Sequence, residues 1–246
     1  MEEKREAQGM LFSNRELAAL IFPLIVEQIL AVSVGMVDTI MVSSVGEAAT
    51  SGVSLVDMIN ILFINIFAAV ATGGAVIASQ YLGQQKRQRA CESADQLIFI
   101  TGSVSVVIMV LCILFRQSFL NLIYKGVEAD VMQNAVIYLV ISAMSYPFLA
   151  VYNSCAALFR SMGNSKISII MNVINVIGDA VLIFVFHWGV AGAASASLVS
   201  RMAACVILLL RLRNKELIIH IGNSRHINTR MIRQILGIGI PNGIEN

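Results

Sequence analysis

Six runs of about twenty or more mostly apolar residues, set apart by polar or glycine-rich breaks, constrain this chain more than any other feature. They fall at roughly 17–43, 52–79, 96–115, 131–159, 167–187 and 190–210. About 20 residues of α-helix cross roughly 30 Å of hydrocarbon. Backbone groups in lipid must find partners inside their own segment, so the runs predict membrane-spanning helices rather than strands or loops. With 57% hydrophobic and 13% charged residues, the 246-residue chain carries more apolar surface than one soluble core could enclose. The expected fold class is all-α, an integral membrane bundle of six transmembrane helices.

Basic residues set the orientation, because Lys and Arg accumulate on the cytoplasmic side of a membrane protein. Lys4, Arg5 and Arg15, then Lys86, Arg87 and Arg89, then Arg160 and Lys166, then Arg211, Arg213, Lys215, Arg225, Arg230 and Arg233 all fall on one side of the six-run scheme. The opposite loops hold Arg116 and Lys125. The reading is a multi-pass cell-membrane protein with a cytoplasmic N-terminus. Reporters fused after Arg89, Lys166 and Lys215 should therefore read cytoplasmic, and those at Glu47 and Glu128 external. Any exchange between the two sets would break the six-run scheme.

Other classes lose ground on the same residues. A net charge of +2, with basic residues scattered between apolar runs, gives no nucleic-acid surface. Cys112, Cys155 and Cys205 lie inside apolar runs and Cys91 in a basic stretch, which suggests no disulfide framework. His187 and Trp188 suit an interfacial belt better than a metal site. The charged N-terminus runs into a long apolar segment containing Glu27 and does not read as a cleaved signal. No G-x-x-x-x-G-K-[ST], H-E-x-x-H or G-x-S-x-G string is present, so neither ATP-driven transport nor a common hydrolytic mechanism gains support. The chain does not read as an enzyme, and no cofactor is expected.

A polar stretch follows the sixth run and leads into ILGIGIPNGIEN. Shifted by 218 positions, that segment matches the start of the first run: Arg233 on Arg15, Pro241 on Pro23 and Glu245 on Glu27. Six spans per repeat would bring a second copy into the membrane the same way up. The expected organisation is a six-helix lobe over 1–213, a cytoplasmic inter-lobe linker over 214–234, and the start of a second lobe over 235–246, within a protein of about twelve spans.

Carboxylates inside such runs cost at least about 2.5 kcal/mol each to bury, so each calls for a partner or a wet cavity. Asp38 and Asp179 both fall in the outer halves of their runs and could face one cavity at similar depth. Asn172, Asn175 and Asp179, at i, i+3 and i+7, share one helical stripe. These oxygens could hold Na⁺, or a buried carboxylate could carry a proton; function is favoured for Asp38 and Asp179, and a structural role for Asn172. Glu27 sits eleven residues before Asp38, on the same face, and belongs either to a cytoplasmic gate or to a helix contact. Asp57 reads as solvated or interfacial. Arg201 either snorkels toward the cytoplasm or pairs with an acid. Pro23 and Pro147 are expected to kink their helices.

Several strings in this order resemble the multidrug and toxic compound extrusion (MATE) family: MVDTIMVSSVG at 36–46, SQYLGQQ at 79–85, FRSMGNSK at 159–166, NVIGDAVLI at 175–183 and GVAGAASAS at 189–197. The resemblance covers nearly the whole chain and is strongest to the DinF-like prokaryotic branch. It implies two lobes of six helices, a central cavity open to one side at a time, and export of small organic, often cationic, compounds by antiport against Na⁺ or H⁺. The partner implied is the missing C-terminal lobe of the same chain, with lipid around both. Carried onto this sequence, the family's N-lobe ion site corresponds to Asp38 in the first span, Asn175 and Asp179 in the fifth, and Asn153 in the fourth. Ser197 stands where threonine is usual, keeping the hydroxyl and losing a methyl. On this reading a Na⁺ ion would sit among Asp38, Asn175, Asp179 and Ser197. The nearest rival is a flippase for a lipid-linked oligosaccharide, which shares the two lobes but lines its cavity with several basic residues; here only Arg201 is basic within the runs.

Overall fold

The computed structural model describes residues 46–163, 189–222 and 227–245, together with seven positions between 21 and 36 that are all helical. Its helices are α1 Glu47–Gly83, α2 Arg87–Leu114, α3 Arg116–Ile123, α4 Ala129–Ser161, α5 Gly189–Leu212 and α6 Thr229–Glu245. Among the described residues α1, α2 and α4 are long and apolar enough to cross a membrane. Four of the six apolar runs thus coincide with helices α1, α2, α4 and α5. The run at 17–43 is seen only at the seven positions, and that at 167–187 lies outside the described residues.

Two features differ from the sequence reading. The short helix α3 was not expected; it follows α2 directly at Phe115, and the hydroxyl of Tyr124 just beyond it donates to the Leu55 carbonyl of α1 at 2.8 Å. Helix α6 starts at Thr229, inside the stretch read as linker, because Asn228 supplies a cap: its Oδ1 accepts from the Met231 amide at 3.2 Å. Pro147 lies within α4, which runs through it as one helix, and Gly163, at φ 75°, closes that helix with a left-handed turn that a β-carbon would strain.

Helix α4 is the centre of the bundle and packs on α1, α2 and α5. Close approach is made by small residues, the device that membrane helices use when lipid offers no hydrophobic drive for association. At Gly52 an added β-carbon would lie 2.8 Å from the Val131 carbonyl oxygen and 2.9 Å from the Ala135 nitrogen, so α1 meets α4 backbone to backbone. Further along α1, a β-carbon at Gly73 would lie 2.7 Å from both the Gly239 nitrogen and the Ile235 oxygen of α6. The small-residue run AAVATGGAVIAS at 68–79 is where α1 receives α6. The largest buried cluster gathers Ile77, Leu97, Tyr152, Phe159, Leu208 and Ile235 from five helices. By contrast Val106, Val107, Val110, Leu111 and Leu114 of α2 are exposed, the composition of a lipid-facing side.

After α5 the chain is strapped across the start of α2. Arg87 donates to three carbonyls of this segment, those of Leu217 at 2.7 Å, Ile218 at 2.9 Å and Lys215 at 3.3 Å. Asp95 accepts from the Gly222 amide at 3.0 Å and Gln96 from the Asn228 amide at 3.1 Å. Ile219 is wholly buried beneath the strap. A segment that composition alone marks as a polar linker is therefore fixed by side chains of α2.

Candidate functional site

Four of the six residues singled out from the sequence, Glu27, Asp38, Asn175 and Asp179, lie outside the described residues, as does Asn172. Asn153 and Ser197 are described and both are half-buried, on α4 and α5. These two helices run side by side, with Cys155 and Cys205 in one buried cluster. Ser197 precedes Cys205 by eight residues, roughly 12 Å of helix rise, whereas Asn153 precedes Cys155 by two. The two candidates thus sit at different levels of the bundle and are not brought together.

The structure instead assembles polar side chains from α1, α4 and α5. Asp57 is half-buried and hydrogen-bonded: its Oδ1 accepts from the Tyr138 hydroxyl at 3.1 Å and from Asn60 Nδ2 at 3.3 Å. Asn60 Oδ1 in turn accepts from the Tyr146 hydroxyl at 2.7 Å, and both Asn60 and Tyr146 are buried. The Tyr146 ring is held between Phe63 and Phe67, with centroids 5.3 and 6.0 Å away. Half-burying a carboxylate at the edge of an apolar core without donors would be costly; the Tyr138 hydroxyl and the Asn60 amide meet that cost, and Tyr146 in turn orients the amide.

Arg201 resolves the choice left open by the sequence. Its Nη1 donates to Ser145 Oγ at 2.7 Å, and the guanidinium lies within electrostatic reach of Asp57, so the side chain turns into the bundle. Ser145, itself buried, donates its own hydroxyl hydrogen bond to the Ser142 carbonyl at 2.7 Å. Arg201 and Ser197 are four residues apart on α5 and so share a face. The sequence reading missed Asn60, Tyr138, Ser145 and Tyr146. Its available signal was the Asp57–Asn60 pair at i, i+3 within an apolar run, a spacing that puts both on one stripe.

The arrangement has a measurable consequence. Tyr146→Phe removes the donor to Asn60 while keeping the ring, so it should destabilise by about 1 kcal/mol. A melting temperature lower by roughly 2–4 °C is the expected reading in purified protein, and an unchanged one would mean that Asn60 finds another donor.

Among the described residues, no three His, Cys, Asp or Glu side chains gather in ligating range. An oxygen-lined cation site of the expected kind would draw on Ser197 together with Asp38, Asn175 and Asp179.

The comparisons with known proteins bear on what such a bundle does. The chain is 27% identical over 239 residues to the uncharacterized transporter YisQ of Bacillus subtilis, covering 93% of this chain and 52% of that protein. It is 25% identical over 234 residues to the probable multidrug resistance protein NorM of Streptococcus pneumoniae, with 91% and 51% covered. Against the multidrug export protein MepA of Staphylococcus saprophyticus the figures are 24% over 225 residues, with 89% and 49% covered. Its fold matches the crystal structure of a MATE protein in complex with MaD3S, at a TM-score of 0.86 and 18% identity over 92% of this chain and 52% of that one. An outward-facing multidrug resistance MATE family transporter of the MOP superfamily gives 0.85 at 18% identity, with 92% and 51% covered. The chain spans about half the length of these relatives and aligns with their N-terminal half. The MatE family model matches residues 23–185, two thirds of the sequence. This multi-pass, all-helical chain belongs to the MatE family of membrane transporters.

Proposed function

We propose that the chain is the N-terminal lobe of a cation-coupled exporter of small organic compounds, of the DinF-like kind, in which Na⁺ or H⁺ moving inward drives substrate outward. The observation that carries this reading is the pair of carboxylates, Asp38 and Asp179, set within apolar runs of a chain whose relatives include proteins named for multidrug resistance and export. An acid in such a run is expensive to keep charged and cheap to neutralise with a proton or a metal cation. That difference lets ion binding bias one conformation of a two-state carrier over another.

On this reading Asp38, Asn175, Asp179 and Ser197 form the coupling site, and Asn153, at another level of the bundle, serves the substrate cavity. Glu27 belongs to the cytoplasmic end. The second lobe supplies the opposite wall, so the six-helix lobe expressed by itself is expected to transport nothing. A flippase for a phosphate-bearing lipid substrate would call for several basic residues in the cavity. Within the apolar runs 52–79, 96–115, 131–159 and 190–210 the single basic residue is Arg201, and it is engaged by Ser145.

The test uses the protein expressed from its own gene, in everted membrane vesicles. A cationic dye should accumulate against its gradient when a Na⁺ or H⁺ gradient is imposed, and should equilibrate passively when both gradients are collapsed. Accumulation that persists without either gradient would remove ion coupling from the account.

A further inference from the structure

The basic end of the bundle holds a cavity of about 400 Å³ that the transport reading does not use. Tyr81, Lys86, Arg89, Asn228, Arg230 and Gln234 line it, above the buried Met231. Two stretches far apart in sequence, 81–89 and 228–234, build it. Tyr81 lies in the last turn of α1, and a tight turn with Gln85 at φ 59° folds the chain back so that the Lys86 amide reaches the Tyr81 carbonyl at 2.9 Å. Lys86 and Arg89 then flank the first turn of α2, while the first turns of α6 supply the rest.

Its electrostatics favour an anion. Three cations converge on it, and the nearby carboxylate of Glu92 is shared between Arg89 Nη1 at 3.2 Å and Asn228 Nδ2 at 2.8 Å. Among the described residues, the contact of Lys86 Nζ is with a neutral amide oxygen, that of Gln84, at 3.0 Å. Two helices also begin here, and helix N-termini carry partial positive charge. The cap of α2 is Lys86, which makes no side-chain capping bond to the N–H groups of that first turn.

We propose that this cavity binds the phosphate headgroup of an anionic phospholipid, with the lipid bridging the α1–α2 turn and the start of α6. Phosphate is the shared chemistry of a lipid head and a free cytosolic anion, and two observations favour the lipid. The cavity lies at the helix ends that the charge pattern assigns to the cytoplasmic leaflet, the level at which basic pockets between spanning helices take such heads. Beside it the strap exposes Ile227 at 57% and Ile218 at 49%, apolar surface suited to an acyl chain and not to a hydrated anion. The bridge would tie the first turns of α6 to the turn between α1 and α2, away from the Gly73–Gly239 contact. This inference does not depend on which ion or substrate the transporter uses.

The experiment is native mass spectrometry of the protein expressed from its own gene, exchanged into detergent with equal phosphatidylglycerol and phosphatidylcholine. Wild type should retain phosphatidylglycerol over phosphatidylcholine by about tenfold, and Lys86→Gln/Arg230→Gln should bring that preference to within about twofold. Arg213→Gln/Lys215→Gln removes the same charge outside the cavity and should leave the preference intact; Arg230→Gln alone should lower it partway. All variants are compared only as monodisperse protein, and should the double variant fail to meet that standard, Arg230→Gln carries the comparison. Equal preference in wild type and the cavity variants would overturn the proposal, and so would an equal loss in the Arg213/Lys215 control. Displacement of the lipid by inorganic phosphate at about 10 mM would assign the cavity to a free anion and overturn the lipid assignment.

Discussion

Asp38→Asn and Asp179→Asn are each expected to abolish gradient-driven efflux while normal amounts of protein still reach the membrane. The reason lies in the cost of burial: an amide is cheaper to hold in an apolar run than an ionised carboxylate, so the substitution should remove coupling rather than folding. If the two acids share one cation, the double variant should be little worse than either single one, since residues acting as a unit are not additive. Ser197→Ala should weaken ion dependence more mildly, because it removes one neutral oxygen. The check is initial efflux rate at matched membrane abundance, with ion concentration varied. Retained ion-coupled efflux in Asp179→Asn would return the fifth-span stripe of Asn172, Asn175 and Asp179 to helix packing.

Gly73→Val should damage the protein in the opposite way, through its fold. A β-carbon at this position falls 2.7 Å from two backbone atoms of α6, and backbone cannot swing aside as a side chain can. Overpacking of this kind costs about 1–3 kcal/mol, which corresponds to a melting temperature lower by roughly 2–12 °C. Gly83→Ala is the matched control, since a β-carbon there meets nothing within 4 Å, and it should melt like wild type. Thermal denaturation followed by size-exclusion chromatography separates the two. A Gly73→Val protein as stable as the Gly83→Ala protein would mean that α6 does not seat on α1 as described.

The helices were legible because the bilayer imposes one length and one backbone solution. The runs at 52–79, 131–159 and 190–210 lie within α1, α4 and α5, and that at 96–115 overruns α2 by one residue. What escaped was anything set by the rotation of one helix against another. Asp57 lies near the outer end of its run, and nothing in its own segment reveals that Tyr138, eighty-one positions later, delivers a hydroxyl to it. Likewise Arg201 carries no mark of Ser145, its partner across α4 and α5. The strap was hidden because composition marks 214–234 as polar and says nothing of Arg87, whose guanidinium collects its carbonyls. The start of α6 carried a local signal in Asn228, a capping residue just before Thr229, yet the linker reading ran past it to 234. Of the candidate site residues, Ser197 and Asn153 are the two on helices whose surroundings are described, and they lie at different levels of the bundle.

Coupling between substrate and ion is the central claim, and coupling is reciprocal. The most direct measurement therefore runs the transporter backwards. Proteoliposomes holding the full protein and no ion gradient are loaded with a cationic substrate on one side only, and Na⁺ and proton fluxes are followed with ion-sensitive dyes. The account predicts that one of the two ions moves opposite to the substrate, and that this flux vanishes in Asp38→Asn and Asp179→Asn. Substrate movement with no opposing flux of either ion would contradict it.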